Sequence, residues 1–212
     1  MRLLAPIVLT AALLVAAPTA AEAACGGVKA AKSKRNLVRG PEPLVIGDSV
    51  MLLAVERLAR AGLYANARGC RQWREGHRIL KKRKRQGRLP KLVVMALGTN
   101  WHIRRPEIAR TRRLLGPKRV LGLVTPREPG GYTRDARTLR AAARAHPRRL
   151  KLIDWVRFSR GHGSWFGGDG IHLTYRGVRN YVRCIRRVLV FADGPKDGAA
   201  SARRHPCASW RR

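Results

Sequence analysis

A chain of 212 residues, 45% of them hydrophobic, can bury the core of one compact domain with tails, and its length excludes two domains of ordinary size. With 46 Lys and Arg against 12 Asp and Glu, the formal net charge of +34 excludes an acidic or neutral surface and makes the chain a polycation. Such a charge attracts nucleic acid, anionic lipid or phosphate-bearing wall polymers alike, and an Arg- and Ala-rich composition reaches it without a dedicated ligand, so charge alone names no partner.

Met1 and Arg2 precede an apolar stretch over residues 3–17, and Pro18 leads to Ala21-Glu22-Ala23, the small-x-small pattern of a signal-peptidase site. Residues 1–23 are therefore expected to be a signal peptide and the mature chain to be secreted. The apolar run is bounded or interrupted by Pro6 and Pro18 and falls short of the roughly 20 residues of a membrane-spanning helix. Glu22, three before Cys25, stands where a lipidation signal needs an aliphatic residue. Cys25, Cys70, Cys184 and Cys207 all follow the cleavage point, and an oxidising compartment lets an even set pair in any of three ways. Residues 24–42 are basic and punctuated by Gly and Pro without periodicity, as in a flexible lead-in.

Residues 44–46 form a short apolar run ending at Gly47, and Leu52, Leu53, Val55, Leu58 and Ala59 follow at helical spacing over 50–61. The unit then recurs. Strands are expected at 63–67, 92–97, 120–124 and 150–153, and helices at 74–88, 106–115, 133–145 and 175–190, the second of these opening on Pro106. Five short strands alternating with helices predict a three-layer αβα sandwich over residues 43–192, with a mainly parallel, flavodoxin-like sheet of order 2-1-3-4-5. From 193 to 212 Gly, Ala, Ser, Arg and Pro dominate, a composition that cannot bury enough apolar surface to order itself, so a mobile basic tail is expected unless Cys207 holds it.

In open parallel sheets ligands bind beyond the carboxyl ends of the strands, which makes those loops the place to look for chemistry. The first reads Gly47-Asp48-Ser49-Val50 and puts a serine between strand and helix. It is not the G-x-S-x-G elbow, because Met51 stands two after the serine. Alone, Ser49 is best read as a helix cap. The third strand ends in Gly98-Thr99-Asn100, and in the predicted order this loop neighbours the first, so the Asn100 amide can face Ser49 and donate to an oxyanion. Before the last helix stands Gly168-Asp169-Gly170-Ile171-His172-Leu173-Thr174. Nucleophilic serine chemistry needs a base for the hydroxyl proton and an anion to orient that base, and His172 and Asp169 supply both.

Gly47-Asp48-Ser49, Gly69, Gly98-x-Asn100 and Asp169-x-x-His172, in that order, resemble the four blocks of the SGNH (GDSL-like) hydrolases. The resemblance implies an esterase or acyltransferase with Ser49 as nucleophile, His172 as general base and Asp169 as its orienting partner. It also implies an oxyanion hole made by Ser49, Gly69 and Asn100. More narrowly, residues 45–51, 96–100, 153–155 and 169–174 resemble the extracytoplasmic SGNH domains attached to acyltransferase-3 membrane proteins, which move acetyl groups onto wall polysaccharides. Two departures stand out. The second block reads Arg68-Gly69-Cys70-Arg71-Gln72 where related domains often have Gly-Arg-Gln, leaving Cys70 as an alternative to Gly69 for the oxyanion N–H. Trp101 replaces a common glycine, and with Thr99 it is a substrate-binding candidate: its indole either narrows the acyl pocket in favour of acetyl or packs outward.

Asp48 is expected to shape the turn through backbone hydrogen bonds, Asp154-Trp155 to anchor packing, and His102 and His162 to be exposed. There is no CxxC or HExxH spacing and the histidines are scattered, so neither metal nor cofactor is expected. The cluster Lys81-Lys82-Arg83-Lys84-Arg85, with Arg88 and Lys91, falls at the sheet edge opposite the catalytic loops. It suits an anionic wall polymer or membrane surface, or is a solvated face, and no specific nucleic-acid partner is expected. The leading expectation is a secreted enzyme for small, acetyl-sized esters of glycans. A non-catalytic polycationic module binding wall polymer or nucleic acid is the alternative, and a lipase or lysophospholipase of the same fold ranks below both.

Overall fold

Strands β2 (Leu44–Gly47), β4 (Leu92–Ala96) and β5 (Val120–Val124) are buried along their whole length, and β6 (Leu150–Ile153) nearly so. Near-continuous apolar runs of this kind are what a sheet covered on both faces requires. The computed structural model describes residues 25–195 and Cys207. With β1 (Lys29–Ala31) and β3 (Tyr64–Ala67), the strands form one sheet of order β1-β3-β2-β4-β5-β6. All pairings are parallel except β1 with β3.

Helices cover both faces. On one, α1 (Val55–Ala61) and α6 (Tyr175–Ile185) bury Val55, Leu58, Val178, Tyr181 and Ile185 against Val45, Val94 and Ile153. On the other, α2 (Trp73–Arg85), α3 (Arg105–Leu115) and α4 (Arg134–Ala145) bury Trp73, Leu80, Ile108, Leu115 and Leu139 against Leu44, Ile46, Met95 and Leu123. This is the expected αβα sandwich, and β3-β2-β4-β5-β6 is the expected strand order.

The sheet has six strands rather than five. The extra one, β1, comes from the stretch expected to be a flexible lead-in. It pairs antiparallel with β3, Lys29 opposite Ala67 and Ala31 opposite Ala65, and the Cys25–Cys70 disulfide fixes the segment before it. Lys29-Ala30-Ala31 has neither alternation nor β-branched residues, so ladder hydrogen bonds and a crosslink, not local propensity, make it a strand. The tail is likewise tied at one point. Cys207 is buried in a disulfide with Cys184, and its carbonyl accepts from the Asp154 N–H at 3.0 Å. The signal peptide expected at 1–23 and the rest of the tail beyond 195 lie outside the described residues.

After β6, the single turn α5 (Trp155–Phe158) carries the fully buried Trp155. Its indole stacks on Trp165 at 5.7 Å and meets Tyr181 edge-on at 5.0 Å, with Phe158 and Phe166 also in contact. Asp154 before it accepts a two-pronged bond from Arg140 at 2.9 and 2.8 Å and one from Thr125 Oγ1 at 3.2 Å. The aromatic group thereby anchors the loop leading into α6. Trp155→Ala is expected to cost about 3–5 kcal/mol, the range for removing a buried aromatic side chain, read from the shift of the chemical-denaturation midpoint.

Candidate active site

Gly47, the last residue of β2, lies opposite Ala67 of β3 and Ala96 of β4. The chain therefore leaves three neighbouring strands at one level, and the loops carrying Ser49, Gly69 and Asn100 start side by side. Ser49 opens a tight 3-10 turn, Ser49–Ala54, that runs on into α1. Asp48 stands before that turn in an extended conformation, and its carboxylate bridges two loops. Oδ1 accepts from the Val50 N–H at 3.2 Å and Oδ2 from the Thr99 N–H at 3.3 Å. Gly98, with φ +132°, lets β4 turn sharply into that second bond; a Cβ there would press on Pro126 and Ile103. Asp48 is 1% exposed, and burial pushes its carboxyl up to about 6 against the lowering effect of the Thr99 and Val50 N–H donors.

The candidate base, His172, arrives from the far side of the sequence on the loop before α6. Asp169 Oδ1 accepts from the Ile171 and His172 N–H groups, each at 2.9 Å, closing a turn through Gly170 at φ +67°. Thr174 then caps α6 by accepting from the Gly177 N–H at 3.2 Å, and the Thr174 N–H binds the Trp165 carbonyl at 3.0 Å. Gly177 is required because a Cβ would collide with that same carbonyl. Held in this way, the His172 ring spans two partners. Nδ1 lies 2.5 Å from Asp169 Oδ2, and Nε2 lies 2.9 Å from Ser49 Oγ.

Protonation follows from the partners. The hydrogen bond from His172, joined by the two backbone N–H groups, holds the Asp169 carboxyl down at about 2. Ionised, it can only accept, so Nδ1 carries the ring proton, and Nε2 of the neutral ring is left to accept from Ser49 Oγ–H. The array can thus take a proton from the serine as its oxygen attacks a carbonyl.

Asn100 is half-buried, and its Nδ2 is buried without a hydrogen-bond partner among the described residues, an unmet donor beside the serine loop. Gly69 is buried against the Cys25 carbonyl, while Cys70 is exposed and adopts φ +52°, the one non-glycine in that region among the described residues. Thr99 offers its N–H to Asp48 rather than to the open site. Trp101 is 65% exposed, the outward arrangement of its indole. His162 stacks on Trp165 with ring centres 4.0 Å apart, and His102 faces Asp135 at 3.9 Å.

One residue had no assigned role from sequence. Arg71 is 2% exposed and donates through Nη1 to the carbonyls of Gly47 at 3.0 Å and Asn66 at 2.8 Å, tying together the ends of β2 and β3. An arginine in a chain with 46 Lys and Arg carries no signal of burial, so only its place after Gly69 hinted at it.

No protein-family model matches the chain. It is 30% identical over 164 residues to the O-acetyltransferase OatA of Staphylococcus aureus, an alignment covering 75% of this chain and 26% of that protein. The chain thus spans about a quarter of the length of the curated relatives it matches. Among solved structures it resembles the C-terminal catalytic domain of Streptococcus pneumoniae peptidoglycan O-acetyltransferase A (OatA), with a TM-score of 0.63 at 24% identity over 72% of this chain and 94% of that one. It also resembles a lipase/acylhydrolase from Enterococcus faecalis, with a TM-score of 0.56 at 18% identity over 74% of this chain and all of that one. At these identities the two structures speak for the fold.

The carboxyl shifts set the response of stability to pH. Asp48, raised from 3.8 to about 6, binds a proton more tightly when folded, so its contribution is complete below about pH 4 and is lost as pH rises through 6, on the order of 3 kcal/mol. Asp135, also raised to about 6 by burial, acts in the same direction. Asp169, depressed to about 2, contributes stability above about pH 4 that is lost as pH falls through 2. Denaturation midpoints are therefore expected to fall between pH 4 and pH 6, and in Asp48→Asn that fall becomes shallower.

Proposed function

We propose, from the premise that the chain carries an SGNH-type domain resembling the C-terminal domain of O-acetyltransferase OatA, that it is a secreted serine esterase or O-acyltransferase. Its substrates are small acyl esters, acetyl above all, of cell-wall or extracellular glycans. The observation that carries the reading is the unbroken chain of contacts from Asp169 Oδ2 through the His172 ring to Ser49 Oγ.

Ser49 Oγ attacks the ester carbonyl carbon while its proton passes to His172 Nε2, and Asp169 stabilises the resulting imidazolium. The carbonyl oxygen becomes an oxyanion that takes hydrogen bonds from Asn100 Nδ2 and from the backbone N–H groups of Ser49 and of Gly69 or Cys70. Collapse breaks the bond to the leaving alkoxide, which takes the proton from His172, and leaves an acyl-Ser49. Water or a sugar hydroxyl then attacks that ester, again giving its proton to His172, and Ser49 regains it on release. Asp169 and His172 have side chains about half exposed, which gives a bulky glycan hydroxyl open approach.

Two disulfides support an oxidising compartment and hence export. The charge supports retention at an anionic wall polymer or membrane surface through residues 81–91. A cleft of about 660 Å³ between α1 and α6, lined by Arg35, Arg57, Arg60, Arg179, Arg183 and Arg186, adds cationic surface. No specific nucleic-acid contact belongs to this reading.

The test is hydrolysis of a chromogenic acetate ester by the mature protein, with butyrate and octanoate esters as length probes. Acetate is expected to be preferred, and Ser49→Ala to lose roughly 10⁴-fold or more in kcat. Asn100→Ala is expected to lose roughly 10²–10³-fold in kcat with little change in KM, because its donor acts on charge present only in the transition state. Equal rates for Ser49→Ala and the parent protein would remove the reading.

A further inference from the structure

We propose that His102, Glu128 and Asp135 form a divalent-cation site, for Zn²⁺ or Mn²⁺, on the loop that carries Asn100. The three come from separate places: His102 follows Asn100 in the loop after β4, Glu128 lies in the loop after β5, and Asp135 sits in the first turn of α4. One ligand atom of each, a ring nitrogen and two carboxylate oxygens, lies within 4.8 Å of the others.

Glu128 and Asp135 are 7% and 0% exposed, so two carboxylates are buried side by side. Burying one carboxylate is costly, and a second beside it adds repulsion unless a cation intervenes. Cations abound in this chain, yet among the described residues neither carboxylate makes a salt bridge to Lys or Arg. Glu56, Glu75, Glu107 and Asp154 each do. One oxygen of each buried carboxylate is already committed to backbone. Glu128 Oε1 accepts from the Asp135 N–H at 2.9 Å, and Asp135 Oδ2 accepts from the Ile103 N–H at 3.0 Å. Asp135 Oδ1 is the independent indication. It is buried with no hydrogen-bond partner among the described residues, 3.9 Å from His102 Nδ1. A buried carboxylate oxygen left without a donor calls for a cation or a water to complete it, and His102 and the two carboxylates offer the ligand set for a cation.

One imidazole and two carboxylates suit Zn²⁺ or Mn²⁺ and leave positions for water, whereas the nitrogen disfavours Ca²⁺. Bonds of about 2.1 Å in a tetrahedral arrangement put ligand atoms roughly 3.4 Å apart, so from within 4.8 Å the set must close by up to about 1.4 Å. The His102 side chain, 59% exposed, can swing inward to do so, and its exposure also provides the entry path. Once bound, the ion would tie the loop carrying His102 to the loop after β5 and to the first turn of α4.

Titration calorimetry with ZnCl₂ and with MnCl₂ tests this on the mature chain carrying His172→Ala, which removes competition from the triad histidine. One ion per chain is expected, with affinity at least tenfold weaker, or binding lost, on adding either His102→Ala or Asp135→Asn. The thermal midpoint should rise with metal in the His172→Ala protein and stay flat in the double variants. His102 is exposed, so its variant reports binding even if Asp135→Asn folds poorly. Absence of binding up to about 1 mM metal, or undiminished binding in His102→Ala, would overturn the proposal.

Discussion

The Asp48 carboxylate is the contact on which the site's geometry depends. One oxygen takes the Val50 N–H and so shapes the turn that presents Ser49; the other takes the Thr99 N–H and so fixes the loop that presents Asn100. The candidate nucleophile and the candidate oxyanion donor follow different strands, and this one buried group sets their separation. Its charge is poorly solvated there, as the rise of its carboxyl to about 6 shows, and the nearby Tyr181 phenol is pushed up too, by burial first and then by Asp48. A strained electrostatic environment directly under the site is a common cost of holding catalytic groups rigidly.

His172 is placed by a second, apolar device. The aromatic group centred on Trp155 fixes Trp165, whose carbonyl binds the Thr174 N–H at the head of α6, and Thr174 follows His172 by two residues. The Asp169 turn is rigid within itself through its hydrogen bonds to Ile171 and His172. Ser49 is therefore positioned by a buried polar bridge and His172 by aromatic packing. The two meet at an open surface where the chemistry needs access, while everything that sets their positions lies inside.

The charge imbalance gives the acidic residues a different weight from usual. In a chain with 12 carboxylates, each buried one stands out. Asp48 bridges the loops, Asp154 takes Arg140, and Glu128 with Asp135 face each other and an exposed histidine. The first two roles were foreshadowed by neighbouring motifs or by position at a strand end. The third was not, because its members are 26 and 7 residues apart in a pattern that matches no ligand spacing.

Sequence by itself determined the sandwich and its strand order from β3 to β6, and it singled out Ser49, Asp169 and His172, which the fold brings into hydrogen-bond contact. Buried parallel strands are continuous apolar runs, and short loops at strand ends carry compact motifs, so both leave local patterns that can be read without coordinates. Tertiary structure alone decided the rest. β1 became a strand through a disulfide and edge pairing rather than propensity; the disulfide partners emerged from the proximity of Cys25 to the β3 end and of Cys207 to α6. Arg71 was sorted from its many exposed counterparts only by where its guanidinium is buried. Trp101 turned outward, and His102 came to face Glu128 and Asp135. These outcomes depend on which distant segments the fold brings together, and contact across such distances leaves no periodicity in a single chain.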